Sequence, residues 1–393
     1  MRYRDEVTEQ LSARVDDRLL GATEFADGAA VRIVRADALS ETERLEAVDL
    51  LAATSSGWAA FEVPVVATEH LRWRLESPYG EHPGYVIVQH HDGLLTNMEW
   101  ATFRPFLLHG RGVVGAGPRE AAGPTSLDAS ERAQLANLHD LVDAQFDAQI
   151  GFHPDASDAH SELTSGRAFE LGNRVLARTR VLDGHRLALE RAERGTMGLP
   201  AALIEASLLW PRAIAAVAER TAVVASDVRI ERVRRFDERI DEFFVQAARP
   251  FELIGVRDAP YLNWRYCDER AGAFLPLVAF EDDAIAGYAV VRLISDRAYL
   301  ADLLALPDRQ DVVASLLRRA SEVARRQSAM TIESWLPSTH PYAETYKRLG
   351  FFDSRSGPVL TVNDRGRGGR GALDFLRAPS ASVHVALGDS DSI

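Results

Sequence analysis

Its 393 residues are 46% hydrophobic and 26% charged, an ordinary soluble composition, and at ~150 residues per domain they allow two or three domains with real cores. Lys and Arg number 45 against 58 Asp and Glu, a net charge of −13, which argues against nucleic acid as a partner because phosphate binding needs a positive field. The single cysteine, Cys267, excludes an internal disulfide framework and a cysteine-cluster zinc site, and no run reaches the ~18 apolar residues of a membrane span.

The polar N-terminus has no apolar signal core, so a cytoplasmic protein is expected. Residues 1–28 read as a short helix ending at Gly21 and then a turn. Val31–Val34 alternates as a strand, and Ser40 with Glu43 has capping-box spacing that should open a helix through Leu51. Tyr85–Val88, Asp92-Gly93 and Leu94–Asn97 read as a hairpin, and Val113–Ala116 as a strand. Apolar Leu135, Leu138, Leu141 and Val142 predict a helix over 128–147. A strand at Asp147–Phe152 follows, then a helix ending at Gly166. Residues 190–245 look helical, with an apolar stretch at Ala201–Val217 and an amphipathic one at Glu231–Phe244.

The second half repeats the plan of the first. Phe274–Phe280, the turn at Glu281–Asp283 and Ala284–Val291 form a strand hairpin, and Tyr299–Leu304 is the next strand. An amphipathic helix over Asp311–Gln327, a strand at Met330–Trp335 and a helix over Tyr342–Lys347 complete the order. Leu71-Arg72-Trp73-Arg74 and Leu262-Asn263-Trp264-Arg265 each stand before a hairpin, and Gly166 matches Gly350 at a similar offset. These anchors imply a duplication. The expected organisation is a helical extension (1–29), a first α/β unit (30–185), a helical connector (186–245) and a second unit (246–393). Each unit should hold a mixed, mostly antiparallel sheet flanked by helices.

The residues from Arg257 to Tyr266 with their hairpin, and Tyr346-Lys347-Arg348-Leu349-Gly350-Phe351, resemble the GCN5-related N-acetyltransferase (GNAT) superfamily. In the first half the matching residues are His70–Leu75, Gly151–Pro154 and Gly172–Arg174. Together these segments cover about residues 30–180 and 250–360, like the tandem GNAT-type proteins among bacterial polysaccharide and secondary-metabolite enzymes. The resemblance implies acyl transfer from acetyl-CoA or another acyl-CoA to an amine or hydroxyl by direct attack, with no metal. It implies Tyr346 as proton donor to the thiolate, or else an aromatic packing its helix onto the sheet. It implies Asp302 as general base, its pKa raised by burial, or else a carboxylate hydrogen-bonded to nearby backbone; Glu333 is a second candidate. The backbone of Leu303 and Leu304 at a splayed strand, and Arg309 and Ala314 of the phosphate-loop motif, are the implied cofactor contacts.

That motif is degraded. In the first half, residues 127–135 carry Asp128 and Glu131 and no glycine; in the second, Val312 replaces a glycine while Asp308 and Asp311 oppose phosphate. The second unit is therefore the expected catalytic one and the first is expected to be non-catalytic. Arg365–Gly371 reads as a surface loop, and His90-His91 and the His153…His160 pair lack a third ligand at metal spacing. An acyltransferase with a small-molecule or sugar-type acceptor is the leading reading. A GNAT-fold scaffold without catalysis and a Fem-type aminoacyl transferase are the alternatives, and the oligomeric state, a homodimer included, stays open.

Overall fold

Two mixed, mostly antiparallel sheets carry the chain, and each completes the other. The computed structural model describes residues 21–24, 29–54, 63–79, 84–117, 120–122, 138–153, 163–164, 168–193, 228–363 and 371–390. The first half gives β1 (Gly21–Glu24), β2 (Ala29–Arg35), α1 (Glu41–Thr54), α2 (Ala67–Leu75), β3 (Gly84–His91), β4 (Leu94–Leu108), β5 (Arg111–Ala116), β6 (Glu120–Ala122), β7 (Ala148–His153), β8 (Ala168–Glu170) and β9 (Val175–Val181). The capping box forms: Ser40 Oγ accepts from the Glu43 N–H at 3.2 Å, and the Glu43 carboxylate accepts from the Ser40 N–H at 2.9 Å. Asp92 and Gly93 both take positive φ, 51° and 79°, as a tight hairpin turn requires.

After α3 (Gly184–Glu193) come β10 (Arg229–Arg232), α4 (Arg239–Ala247), β11 (Leu253–Gly255) and α5 (Ala259–Tyr266). Then follow β12 (Phe274–Glu281), β13 (Ala284–Ile294), β14 (Arg297–Ala305), α6 (Gln310–Arg326), β15 (Thr331–Pro337), α7 (Ala343–Arg348), β16 (Phe352–Ser356), β17 (Val359–Asn363) and β18 (Val383–His384).

Three sequence expectations are corrected. Gly21–Glu24 is a strand paired antiparallel with β2, not a helix end and turn. The helix expected over Glu231–Phe244 is a strand and then a helix: Arg229–Arg232 pairs with Leu277–Phe280 as the sheet edge, and helix begins only at Arg239. Between them Asn263 holds Phe236, accepting its N–H and donating to its carbonyl, both at 2.9 Å. Residues 138–143 are helical, but 144–147 turn and bend, so the helix expected to reach 147 stops at 143; residues 128–137, all but the helical residues 163–164 of the helix before Gly166, Ala201–Val217 and most of the Arg365–Gly371 loop lie outside the described residues.

The exchange of strands could not be read from local pattern. β9, from the first half, lies between β15 and β16, paired from Thr331↔Val181 to Pro337↔Val175. β17, from the second half, lies between β7 and β8, paired from Val359↔His153 to Asn363↔Gln149. The largest apolar core accordingly mixes the halves, placing Phe106, Ile150 and Phe169 in one cluster with Tyr288, Leu304 and Trp335.

The duplicated tryptophans meet at this seam. Trp73 of α2 stacks on Trp264 of α5, ring centroids 4.9 Å apart, and its Nε1–H donates to the Trp264 carbonyl at 2.9 Å.

Candidate functional site

In each sheet two parallel strands part company. In the second sheet β14 and β15 pair from Arg297↔Thr331 to Leu300↔Ser334 and then diverge. The register against β13 slips here, Val290 facing Asp302 and Val291 facing Leu300, so Ala301 is the extra residue of a bulge. Beyond the bulge the backbone sorts by alternation. Leu306 donates to Ala286 of the β13 side, so Leu304 also faces β13, whereas Leu303 and Ala305 turn toward the opening.

That opening is filled by the chain itself. The Tyr342 hydroxyl accepts from the Ala305 N–H at 3.0 Å and donates to the Ala305 carbonyl at 3.1 Å. The turn Leu387–Asp389 lies against β14: a side chain at Gly388 would put its Cβ 2.9 Å from the Ala301 carbonyl oxygen.

Asp302, expected as a base with raised pKa, has the opposite character. It is 1% exposed, and burial alone would raise its pKa; the Arg257 guanidinium, donating from Nε at 2.9 Å, overrides this and holds the carboxyl down at about 2. Tyr288 adds a hydroxyl donor at 2.9 Å. On the far side of Arg257, Nη2 donates to Asp389 at 2.6 Å. One guanidinium thus bridges two carboxylates.

A histidine pair extends this network. The Tyr342 N–H donates to His340 Nδ1 at 3.2 Å, His340 Nε2 lies 3.0 Å from His384 Nδ1, and His384 Nε2 lies 3.4 Å from Asp302 Oδ1. Only one proton assignment satisfies every contact: both imidazoles neutral, each with its proton on Nε2. Burial, then His384 and Arg178, push the His340 pKa well below its ordinary value.

The other expected residues scatter. Tyr346 packs with Leu303, Ala314 and Tyr342 in an apolar cluster on one face of β14, whereas Asp302 meets Tyr288 on the other. Among the described residues the Tyr346 hydroxyl meets only Ser334 Oγ, at 3.3 Å, and burial raises its pKa. Glu333 accepts from Trp335 Nε1 at 3.3 Å. Arg309 grips Glu281 and Asp311 with paired hydrogen bonds of 2.8–3.0 Å, so its cation is already neutralised. Ala314 is buried at 8% exposure.

The first sheet opens differently. β5 and β7 pair only at Gly115↔Ala148 and Ala116↔Gln149. Beyond them Gly117, Ile150 and Phe106 wall a cavity of ≈ 20 Å³, roofed by Tyr261, Arg257 and Asp389 from the second half. Twenty cubic ångströms is room for about one water. Burial, and then the Asp389 carboxylate, raise the Tyr261 pKa. Its hydroxyl has no hydrogen-bond partner among the described residues. Sequence reading gave no role to His340, His384 and Asp389, nor to Arg257 and Tyr261 within the segment that carries the resemblance, since no local spacing ties Arg257 to partners 45 and 132 residues away. Among the described residues no group of three or more His, Cys, Asp or Glu could hold a metal ion, and no helix is long and apolar enough to cross a membrane.

No family model and no curated protein matches the sequence. Solved structures match in fold. Saccharomyces cerevisiae N-myristoyltransferase, solved with bound myristoyl-CoA and inhibitors, superposes with a TM-score of 0.57 at 11% identity over 92% of this chain and 93% of its own. A tandem GNAT protein from the clavulanic acid biosynthesis pathway gives a TM-score of 0.50 at 14% identity, over 86% of this chain and 99% of its own. The chain has a tandem GNAT-like fold. A conserved protein from Enterococcus faecalis V583, a probable N-acyltransferase, shares the fold at a TM-score of 0.51, 12% identity and coverage of 86% of this chain and 73% of its own.

Proposed function

We propose that the protein is an acyl-CoA-dependent acyltransferase whose reacting thioester lies in the opening of the first sheet, the second half serving as its support. The observation that carries this reading is the contrast between the two openings. In the second, the Ala305 backbone groups are taken by Tyr342 and the phosphate-loop cation Arg309 by two carboxylates. In the first, a small cavity walled by Phe106 and Ile150 is roofed by Arg257, Asp389 and Tyr261, whose hydroxyl has no hydrogen-bond partner among the described residues. This moves the reaction away from Asp302 and Tyr346.

Tyr261 is the proposed acid. Its raised pKa keeps the proton in place near neutral pH, and it would give that proton to the departing thiolate as the acceptor amine or hydroxyl attacks the carbonyl carbon. Arg257 and Asp389 would act as positioning residues, fixing the Tyr261 ring, which lies 5.5 Å from the Arg257 guanidinium carbon. A small-molecule or sugar-type acceptor remains the proposed class, approaching along the seam between the halves.

Calorimetric titration of the full chain with acetyl-CoA tests the reading. Gly117→Leu, which crowds the first opening against the flexible Arg104 side chain, should weaken binding at least tenfold, and Tyr342→Phe in the second opening should leave it within twofold. Tyr261→Phe should lower turnover about 10²-fold or more with affinity kept. Binding that tolerates Gly117→Leu and is changed by Tyr342→Phe would return the site to the second half.

A further inference from the structure

A second site of different chemistry lies at the far edge of the second sheet. Arg232 ends β10, and Val233 continues the extended course by donating to the Pro276 carbonyl at 3.1 Å. Arg232 at the end of β10 and Arg234 in the bend that follows both line one crevice of ≈ 630 Å³, a size suited to a small molecule. Among the described residues neither guanidinium has a hydrogen bond or an ion pair.

The wall opposite is aromatic. Phe274 lines the crevice, and behind it two buried cations stand over its ring, Arg292 at 4.9 Å and Arg265 at 5.5 Å. Two carboxylates also line the crevice, Asp268 and Glu269. Asp268 is neutralised by Arg270, which holds it through Nε and Nη2. That leaves Glu269 facing the two rim arginines. The apolar part of the lining, Val233, Phe274 and Pro276, would contact an organic body.

We propose that this crevice binds a small organic phosphomonoester, its dianion held by Arg232 and Arg234 and its body against Phe274. Guanidinium forks match phosphate oxygens in pairs, and two forks in one crevice match a dianion. The proposal does not depend on acyl transfer.

Phenyl phosphate and inorganic phosphate serve as probes, titrated calorimetrically into the full chain at low ionic strength. Phenyl phosphate should bind saturably, one per chain, and at least fivefold tighter than inorganic phosphate. The Arg232→Gln/Arg234→Gln double variant should lose at least tenfold in affinity for both, while Arg249→Gln, which removes an exposed charge outside the crevice, should stay within twofold. Both arginines are exposed, so an unchanged thermal melt certifies the fold of the variant. Absence of saturable binding, equal loss in the Arg249→Gln variant, or inorganic phosphate binding as tightly as the ester would each overturn the proposal.

Discussion

Asp302 is where one side chain's surroundings outweighed its sequence context. A carboxyl inside Leu300-Ala301-Asp302-Leu303-Leu304 looks desolvated, and desolvation raises a carboxyl pKa. Yet a charge within hydrogen-bond reach acts in the same poorly screened interior, and Arg257 at 2.9 Å wins. The two form a buried ion pair, and removing one partner strands the other as a buried charge. Asp302→Asn should therefore cost about 3–5 kcal/mol in urea unfolding. The pH dependence has a definite sign. A carboxyl whose folded pKa is depressed contributes stability above its unfolded pKa of ~3.9; that contribution is lost as pH falls from about 4 through about 2. His340 acts earlier, because the unfolded chain takes up a proton below ~6.5 while the folded chain resists it. Stability measured from pH 7 to pH 3 should fall in two stages, and His340→Phe should flatten the upper one. A flat profile across this range in the parent protein would contradict the assigned network.

Among the elements, α2 and α5 are equivalent in the duplication but not in their bonds. Trp73 donates its indole N–H to the Trp264 carbonyl. The Trp264 indole N–H is buried without an acceptor among the described residues. Each Trp→Phe change removes similar ring area, but only Trp73→Phe leaves a buried carbonyl short of its donor. That variant should be less stable than Trp264→Phe by about 1–3 kcal/mol in chemical denaturation. Equal losses would show that the hydrogen bond adds nothing to the stack. The repeat itself was legible in both Leu-x-Trp-Arg clusters. Their stacking was not, because periodicity places a residue on a helix face and says nothing about which distant helix meets it.

For the whole molecule, the exchange of β9 and β17 makes each sheet depend on the other half of the chain. Neither sheet closes its order without the borrowed strand, since β9 separates β15 from β16 and β17 separates β7 from β8. The shared apolar core reinforces this coupling. Heat should unfold the chain in a single calorimetric transition, with calorimetric and van't Hoff enthalpies in agreement. Two resolved transitions would mean that the halves are independent despite the exchange.

The sequence by itself determined the local parts: the capped helix at Ser40, the Asp92-Gly93 hairpin, most strands of both sheets, and the tandem GNAT-like plan behind them. These follow from short-range rules, alternation of two, helical spacing and turn chemistry, which act within a few residues. Tertiary structure alone decided which strand completes which sheet, that Tyr342 and the Leu387–Asp389 turn fill the second opening, and that Arg257 stands beside Asp302. Each of those joins residues far apart in the chain, and a contact of that kind is selected by packing and charge compensation in three dimensions rather than by any pattern along the chain.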